Sequence, residues 1–182
     1  MSPSAHGTLP VLSARGLTRR YGGVTALEEV DLDLHPGEIV AVRGPSGSGK
    51  STLLHLLGLL DRPTSGEVLF RGRSSSPRDR RAAARIRRTG IGFVFQAFHL
   101  IPELTLLENV ALPARLAGLG GGAPRARALL EAVGLGHRAH HRPRAASGGE
   151  MQRAAFARAL ANDPAAVLCD QPTGNQDRAT RE

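Results

Sequence analysis

Gly44-Pro45-Ser46-Gly47-Ser48-Gly49-Lys50-Ser51-Thr52 has the spacing G-x-x-x-x-G-K-[ST], that of a loop that wraps a chain of phosphates. Lys50 is the only lysine among the 24 lysines and arginines of the chain. A slim ammonium on a flexible stem reaches the β- and γ-phosphates of a triphosphate, where a broad, planar guanidinium would crowd the loop. Gly44, Gly47 and Gly49 permit tight turns and close backbone approach, with Pro45, Ser46 and Ser48 completing the cradle. The helix expected next points the positive end of its dipole at the phosphates, and the Ser51 hydroxyl, followed by Thr52, is the natural Mg²⁺ ligand. The flanks have the right order for this motif. Glu38-Ile39-Val40-Ala41-Val42 reads as a short buried strand, and Leu53, Leu54, Leu56, Leu57 and Leu60 give the following segment an apolar helical face.

Composition bounds the remainder. A chain of 182 residues, 41% hydrophobic and 3% aromatic, predicts one globular domain, residues 1–182, with a core of Leu, Val and Ala. The single cysteine, Cys169, excludes an internal disulfide and fits a reducing compartment. No apolar run approaches membrane-spanning length and the N-terminus lacks a signal-peptide core, so a cytoplasmic location is expected. The net charge of +8 is densest over 78–88, where Arg78, Arg80, Arg81, Arg85, Arg87 and Arg88 alternate with alanines. This reads as a solvated helix face; docking to an acidic partner or to anionic headgroups stays open. No aromatic residues interleave to stack on bases, so no nucleic-acid partner is expected.

Along the chain, the first residues, Met1 to Pro10, are small and polar and read as a frayed end. Val11 to Thr18, Ala26 to Leu34, Glu67 to Arg71, Ile91 to Phe95 and Ala165 to Cys169 read as strands. Pro36-Gly37 and Pro63-Thr64-Ser65-Gly66 read as turns. A mostly helical stretch runs from Leu104 to about Arg138, with a loose loop at Gly118 to Pro124. Ser147-Gly148-Gly149 opens a helix that runs to Ala161. Asp170 tips the last strand, a place from which a carboxylate holds Mg²⁺ beside the loop serine in phosphate-loop ATPases.

These ordered motifs resemble the nucleotide-binding subunit of ABC transporters over nearly the whole chain. Ala146-Ser147-Gly148-Gly149-Glu150-Met151-Gln152-Arg153 looks like the signature motif of that family. Gly92-Phe93-Val94-Phe95-Gln96 with Leu100-Ile101-Pro102, and Pro172-Thr173-Gly174-Asn175, resemble the subgroup serving lipoprotein release, macrolide export and cell division. The resemblance implies a three-layer α/β phosphate-loop fold with an N-terminal antiparallel β part and a helical insert over about 104–144. It implies ATP and Mg²⁺ as cofactors, with Ser51, Gln96 and Asp170 around the metal and Gln96 also touching the attacking water. Tyr21 would stack on adenine, and Ser147, Gly148 and Gly149 would cap the γ-phosphate held by a second subunit. Asp177 would bridge the two sites. The implied partners are a second copy or related ATP-binding subunit and a transmembrane permease, placing the chain on the inner face of the membrane.

The sequence also departs from the pattern. Gln171 stands where the family has the glutamate that polarises water, and a neutral amide cannot act as base. No histidine follows Asp170, where the family carries one on a further strand between the phosphate-loop strand and the Asp170 strand. The chain therefore reads as a truncated form of a longer subunit, or as one needing another segment to complete its sheet. Ala146, Met151 and Gln176 replace the usual leucine, glutamine and leucine. Two functions stay open: an ATPase that powers export, and a module that binds ATP and dimerises while hydrolysing little. A third, a DNA-associated ATPase of this type, rests on the basic run alone.

Overall fold

The computed structural model describes residues 8–75 and 80–171. The chain forms two compact units, Met1–Arg87 and Arg88–Glu182. Of the sequence motifs, Met1–Gly7, Arg78, Pro172-Thr173-Gly174-Asn175, Gln176 and Asp177 lie outside the described residues.

The first unit is built on a long antiparallel pair, β1 (Leu12–Tyr21) and β2 (Val24–Leu34), joined through Gly22-Gly23. In β2, Asp31 and Asp33 alternate with Val30, Leu32 and Leu34, and the two carboxylates serve β1. Asp33 accepts from the Ser13 hydroxyl at 2.6 Å and from Arg15 at 2.7 Å, while Asp31 accepts from the Gly16 amide at 2.7 Å. These bonds secure β1 where its register with β2 shifts, between Ala14 and Leu17. On the other side of β1 lies β3 (Ser65–Phe70), followed by the two-residue β4 (Arg73–Ser74), giving the order β2-β1-β3-β4. Helix α1 (Lys50–Leu57) buries Leu53, Leu56 and Leu57 and packs on β1 and β2. Gly49 precedes it in a left-handed conformation (φ 84°), and a Cβ there would run into the Ala26 carbonyl of β2. Only glycine lets the start of the helix lie this close to the strand.

The expected strand Glu38–Val42 is not formed. Its residues pair with no strand among the described ones, and Ile39 is 96% exposed. The reason is the distribution of hydrogen-bonding edges. β1 is already flanked by β2 and β3, and β3 by β1 and β4, so the interior of this sheet has no place for the segment. An apolar run becomes a buried strand only when a neighbour takes up its backbone N–H and C=O groups. What fixes its start is local: the Glu38 carboxylate accepts from the His35 amide at 2.8 Å.

Helix α2 (Arg80–Thr89) leads into the second unit. There β5 (Ile91–Val94) and β6 (Ala166–Cys169) pair in parallel, Ile91 opposite Ala166 and Val94 opposite Cys169. Between them lie α3 (Leu106–Leu116), α4 (Gly122–Ala132), short 3₁₀ turns at Gly136–Arg138 and Pro143–Ala145, and α5 (Gly148–Ala159). Leu106, Val110, Leu130, Leu135, Ala154 and Ala157 form a common core for the three helices. α4 starts inside the stretch expected as a loop, with Pro124 in its first turn. A proline costs little there, because the first N–H groups of a helix have no intrahelical partner. The same parallel pair depends on Gly92, where a Cβ would meet the Ala159 carbonyl, so α5 ends directly against β5.

Burial separates two apolar positions of the first unit. Ile39→Ser should change the unfolding free energy by less than about 0.5 kcal/mol, as at an ordinary surface site. Leu56→Ala, at a fully buried position, should cost about 2–5 kcal/mol. Denaturant melts of the two variants check this; a loss at Ile39 as large as that at Leu56 would restore the buried strand.

Candidate nucleotide site

Unit one carries the phosphate loop. Gly47 (φ 79°) and Gly49 (φ 84°) turn it back on itself, and the Ser48 amide donates to the Pro45 carbonyl at 3.3 Å. Lys50 folds over this turn, its Nζ donating to the carbonyls of Gly44 at 2.9 Å and Pro45 at 2.6 Å. The cation is thereby held on the loop itself. A phosphate arriving there exchanges a neutral acceptor for an anionic one, so that both partners of the bond are charged. Gly44 to Ser48 are exposed and Gly49 to Thr52 half-buried, so a ligand can reach the backbone donors. The first turn of α1 holds no acidic side chain to repel an anion.

Tyr21 ends β1, and its partner strand β2 carries Ala26 and Leu27 against Gly49. The strand that seats the phosphate loop is thus the hydrogen-bonded neighbour of the one that ends in the tyrosine. Its hydroxyl donates to Asp61 at 2.6 Å, and Arg19 lies 4.3 Å from the ring centroid while pairing with Asp61 at 2.9 Å. The ring stays 45% exposed. Burial alone would raise the Asp61 carboxyl, but the Tyr21 hydroxyl, the Arg62 amide and Arg19 outweigh it and hold it below the usual range. Sequence reasoning missed this Arg19–Tyr21–Asp61 group, since forty residues separate Tyr21 from Asp61 and nothing local marks their pairing.

Unit two carries the remaining candidates. Asp170 follows β6 and Gln96 follows β5, and the parallel register, continued by the Asp170 amide donating to the Val94 carbonyl at 2.9 Å, sets both at one edge. Gln171 is exposed next to Asp170, with φ 45°. Carboxyl ends of parallel strands are where α/β folds bind ligands. Gln96 and Asp170 offer an amide carbonyl and a carboxylate, and Ser51 of the first unit a hydroxyl; each is an oxygen donor of the kind a hard cation such as Mg²⁺ takes.

At the start of α5, Ser147 and Glu150 form a reciprocal cap. The Ser147 Oγ accepts from the Glu150 amide at 3.2 Å, and the Glu150 carboxylate accepts from the Ser147 amide at 2.7 Å. The Ser147 hydroxyl also faces the Glu150 carboxylate and helps hold it below its usual range. The amides of Gly148 and Gly149, in the first turn, have no intrahelical acceptor. Ser147 and Gly148 are exposed and Gly149 half-buried. The amides of Gly148 and Gly149 therefore present donors to an incoming anion.

The chain matches the ABC transporter family over residues 27–174. It belongs to that family. It is 54% identical over 177 residues to the lipoprotein-releasing system ATP-binding protein LolD 2 of Caulobacter vibrioides, covering 94% of this chain and 78% of the relative. It is 48% identical to the macrolide export ATP-binding/permease protein MacB of Wolinella succinogenes, covering 95% of this chain and 28% of that protein. Among solved structures, the dimeric ABC transporter cassette MJ0796 superposes with a TM-score of 0.84 at 44% identity, covering 91% of this chain and 76% of that one. A dimeric structure of the same cassette in a post-hydrolysis state, bound to ADP and Pi, gives 0.82 at 43% identity, covering 92% and 76%. The α/β phosphate-loop fold read from the sequence is therefore that of these cassettes.

Four carboxylates of these elements titrate below their ordinary values. Asp33 is lowered chiefly by the Ser13 hydroxyl, and Asp61 as above. Glu108 and Glu150 are lowered first by the amides of their caps, Thr105 and Ser147. A depressed folded value means stability that is present above the unfolded value, about 4, and lost as pH falls through the folded one. Thermal stability should therefore be flat above roughly pH 5 and decline steadily below about pH 4. In Glu150→Gln part of that acid-side slope should disappear, which a melting series from pH 3 to 7 would measure.

Proposed function

We propose that the chain is the ATP-binding subunit of a transporter of the lipoprotein-releasing or macrolide-exporting type, binding Mg-ATP at the interface of a dimer. The observation that carries this is the pair of anion-ready elements: the Lys50 ammonium seated over its own glycine loop, and the capped α5 start with its open amides at Gly148 and Gly149. Lys50 and the loop amides bind the β- and γ-phosphates. Ser51, Gln96 and Asp170 hold Mg²⁺, which neutralises phosphate charge when bound. The half-exposed Tyr21 ring takes the adenine. Ser147, Gly148 and Gly149 close on the γ-phosphate bound by the other subunit, so two chains complete two sites. A transmembrane permease is the second partner, and the chain works at the inner face of the membrane. The dimeric state of the MJ0796 cassette and the names of the LolD and MacB relatives support this reading.

A second reading concerns rate rather than ligand. Gln171 puts a neutral amide beside Asp170, where it can orient water and accept no proton. On this reading the subunit binds ATP and dimerises but turns it over slowly.

The two parts are tested separately. Lys50→Ala should weaken ATP binding on the order of a hundredfold, the loss of two charge-assisted bonds. Arg85→Ala should leave it unchanged in the same calorimetric titration, and equal losses would assign the affinity to general positive charge. Gln171→Glu should leave affinity unchanged and raise steady-state phosphate release about tenfold or more, within the 10²–10⁴ range of a general base. Brisk release by the unmodified chain would dismiss the slow-turnover reading and leave ATP binding intact.

A further inference from the structure

Phe98 and His99 are consecutive non-glycine residues in the left-handed region, with φ 58° and 46°. L-residues avoid this conformation, so something must impose it. They lie in the segment that leaves β5 through Gln96, and the carbonyls of both point at one side chain. Arg158, near the end of α5, donates from Nη2 to the Phe98 carbonyl at 2.6 Å and from Nη1 to the His99 carbonyl at 2.5 Å. The two nitrogens of one fork thus span two adjacent carbonyls, a geometry that arginine offers and lysine does not. Among the described residues the half-buried guanidinium has these carbonyls as its polar partners. Burial pushes it below its ordinary value, though it stays protonated. The Phe95 ring meets His99 edge-on with centroids 4.9 Å apart, closing the other side of the turn. Further along, the buried Asn109 of α3 accepts from the Ile101 amide at 2.7 Å and donates to the Ile101 carbonyl at 3.0 Å. The segment is thereby fastened at one end to α5 and at the other to α3.

We propose that Arg158 is a positioning residue that ties α5, which begins at Ser147-Gly148-Gly149, to the segment that begins at Gln96, so that a shift of the helix is passed to the glutamine. The proposal rests on the nucleotide reading above only in what would move α5: closure of its N-terminus on a γ-phosphate. α5 is a rigid rod between that N-terminus and Arg158. A displacement at one end therefore reaches the Phe98 and His99 carbonyls through two short bonds, without an intervening loop to absorb it.

The test is amide hydrogen exchange on the full chain, with and without Mg-ATP, in the wild type, Arg158→Ala and Arg158→Lys. Without nucleotide, exchange of the Phe98, His99 and Ile101 amides should rise tenfold or more in Arg158→Ala, and an unchanged rate overturns the tie. With Mg-ATP, the wild type should show slowed exchange both at 44–52 and at 97–101. In Arg158→Ala the slowing at 44–52 should persist, with ATP affinity within threefold of wild type, while the response at 97–101 falls below twofold. A merely structural role would instead reduce both responses together, and that result overturns the proposal. If the alanine variant does not fold, Arg158→Lys decides. One ammonium in place of the fork should cut the 97–101 response at least threefold, and a wild-type response there overturns the proposal. Absence of slowing at 44–52 in the wild type itself would sink the nucleotide reading, while the nucleotide-free comparison still decides whether Arg158 holds the segment.

Discussion

A helix cannot satisfy the N–H groups of its own first turn, and the starts of α1 and α5 are both shaped by that deficit. α1 and α5 each begin where glycines expose the backbone, so that the donors face outward. The two starts are secured differently. At α1 the close approach of Gly49 to the Ala26 carbonyl presses the loop against β2, and no side chain caps the helix. At α5 the Ser147–Glu150 exchange of bonds fixes the entry. The first arrangement spends the Ser48 amide on the Pro45 carbonyl and keeps the Lys50 cation over the loop, beside the remaining loop amides. The second uses two amides, the Ser147 hydroxyl and the Glu150 carboxylate internally and leaves the Gly148 and Gly149 amides at its start. The chemistry assigned to each in the proposed function follows from that difference.

What was legible in the sequence was what local chemistry dictates. The phosphate loop and its helix, the Ser147 helix start, and the strands read at Val11–Thr18, Ala26–Leu34, Ile91–Phe95 and Ala165–Cys169 are signalled by glycine spacing, capping residues and apolar patterning within short windows, whereas the antiparallel β part came from the family resemblance. The Glu38–Val42 strand was misread because a strand is not a local object. Its apolar run is genuine, but its identity as a strand depends on a neighbour elsewhere in the chain, and no described strand pairs with it. The start of α4 at Gly122 was misread for the opposite reason: glycine and proline signal a break, yet a helix tolerates both in its first turn.

Long-range polar contacts were invisible for the same reason. Nothing near Tyr21 announces Asp61, and nothing near Arg158 announces the carbonyls of Phe98 and His99. Asn109 reads as one more polar residue on an amphipathic helix, whereas it is buried with both its amide oxygen and its amide nitrogen engaged by the Ile101–Thr105 segment. The sequence shows which residues could bond; only the fold shows which of them meet.

The same contacts explain the composition that opened the question of nucleic acid. Several arginines point at carbonyls left over where helices end. Arg87 donates to Leu59 just beyond α1, Arg88 to Leu116 at the end of α3, and Arg125 to Leu160 and Ala161 beyond α5. Helix C-termini carry partial negative charge and unpaired acceptors, so a cation with several fixed donors is well placed there. Arginine suits this task better than lysine, because one guanidinium can serve two carbonyls at once. Part of the basic run before β5 is therefore spent on the protein's own backbone rather than displayed to a polyanion. The exclusion of lysine everywhere but the phosphate loop then has a physical sense: fork-shaped cations bind carbonyls of the fold, and the one slender cation is kept for the place where a phosphate must fit.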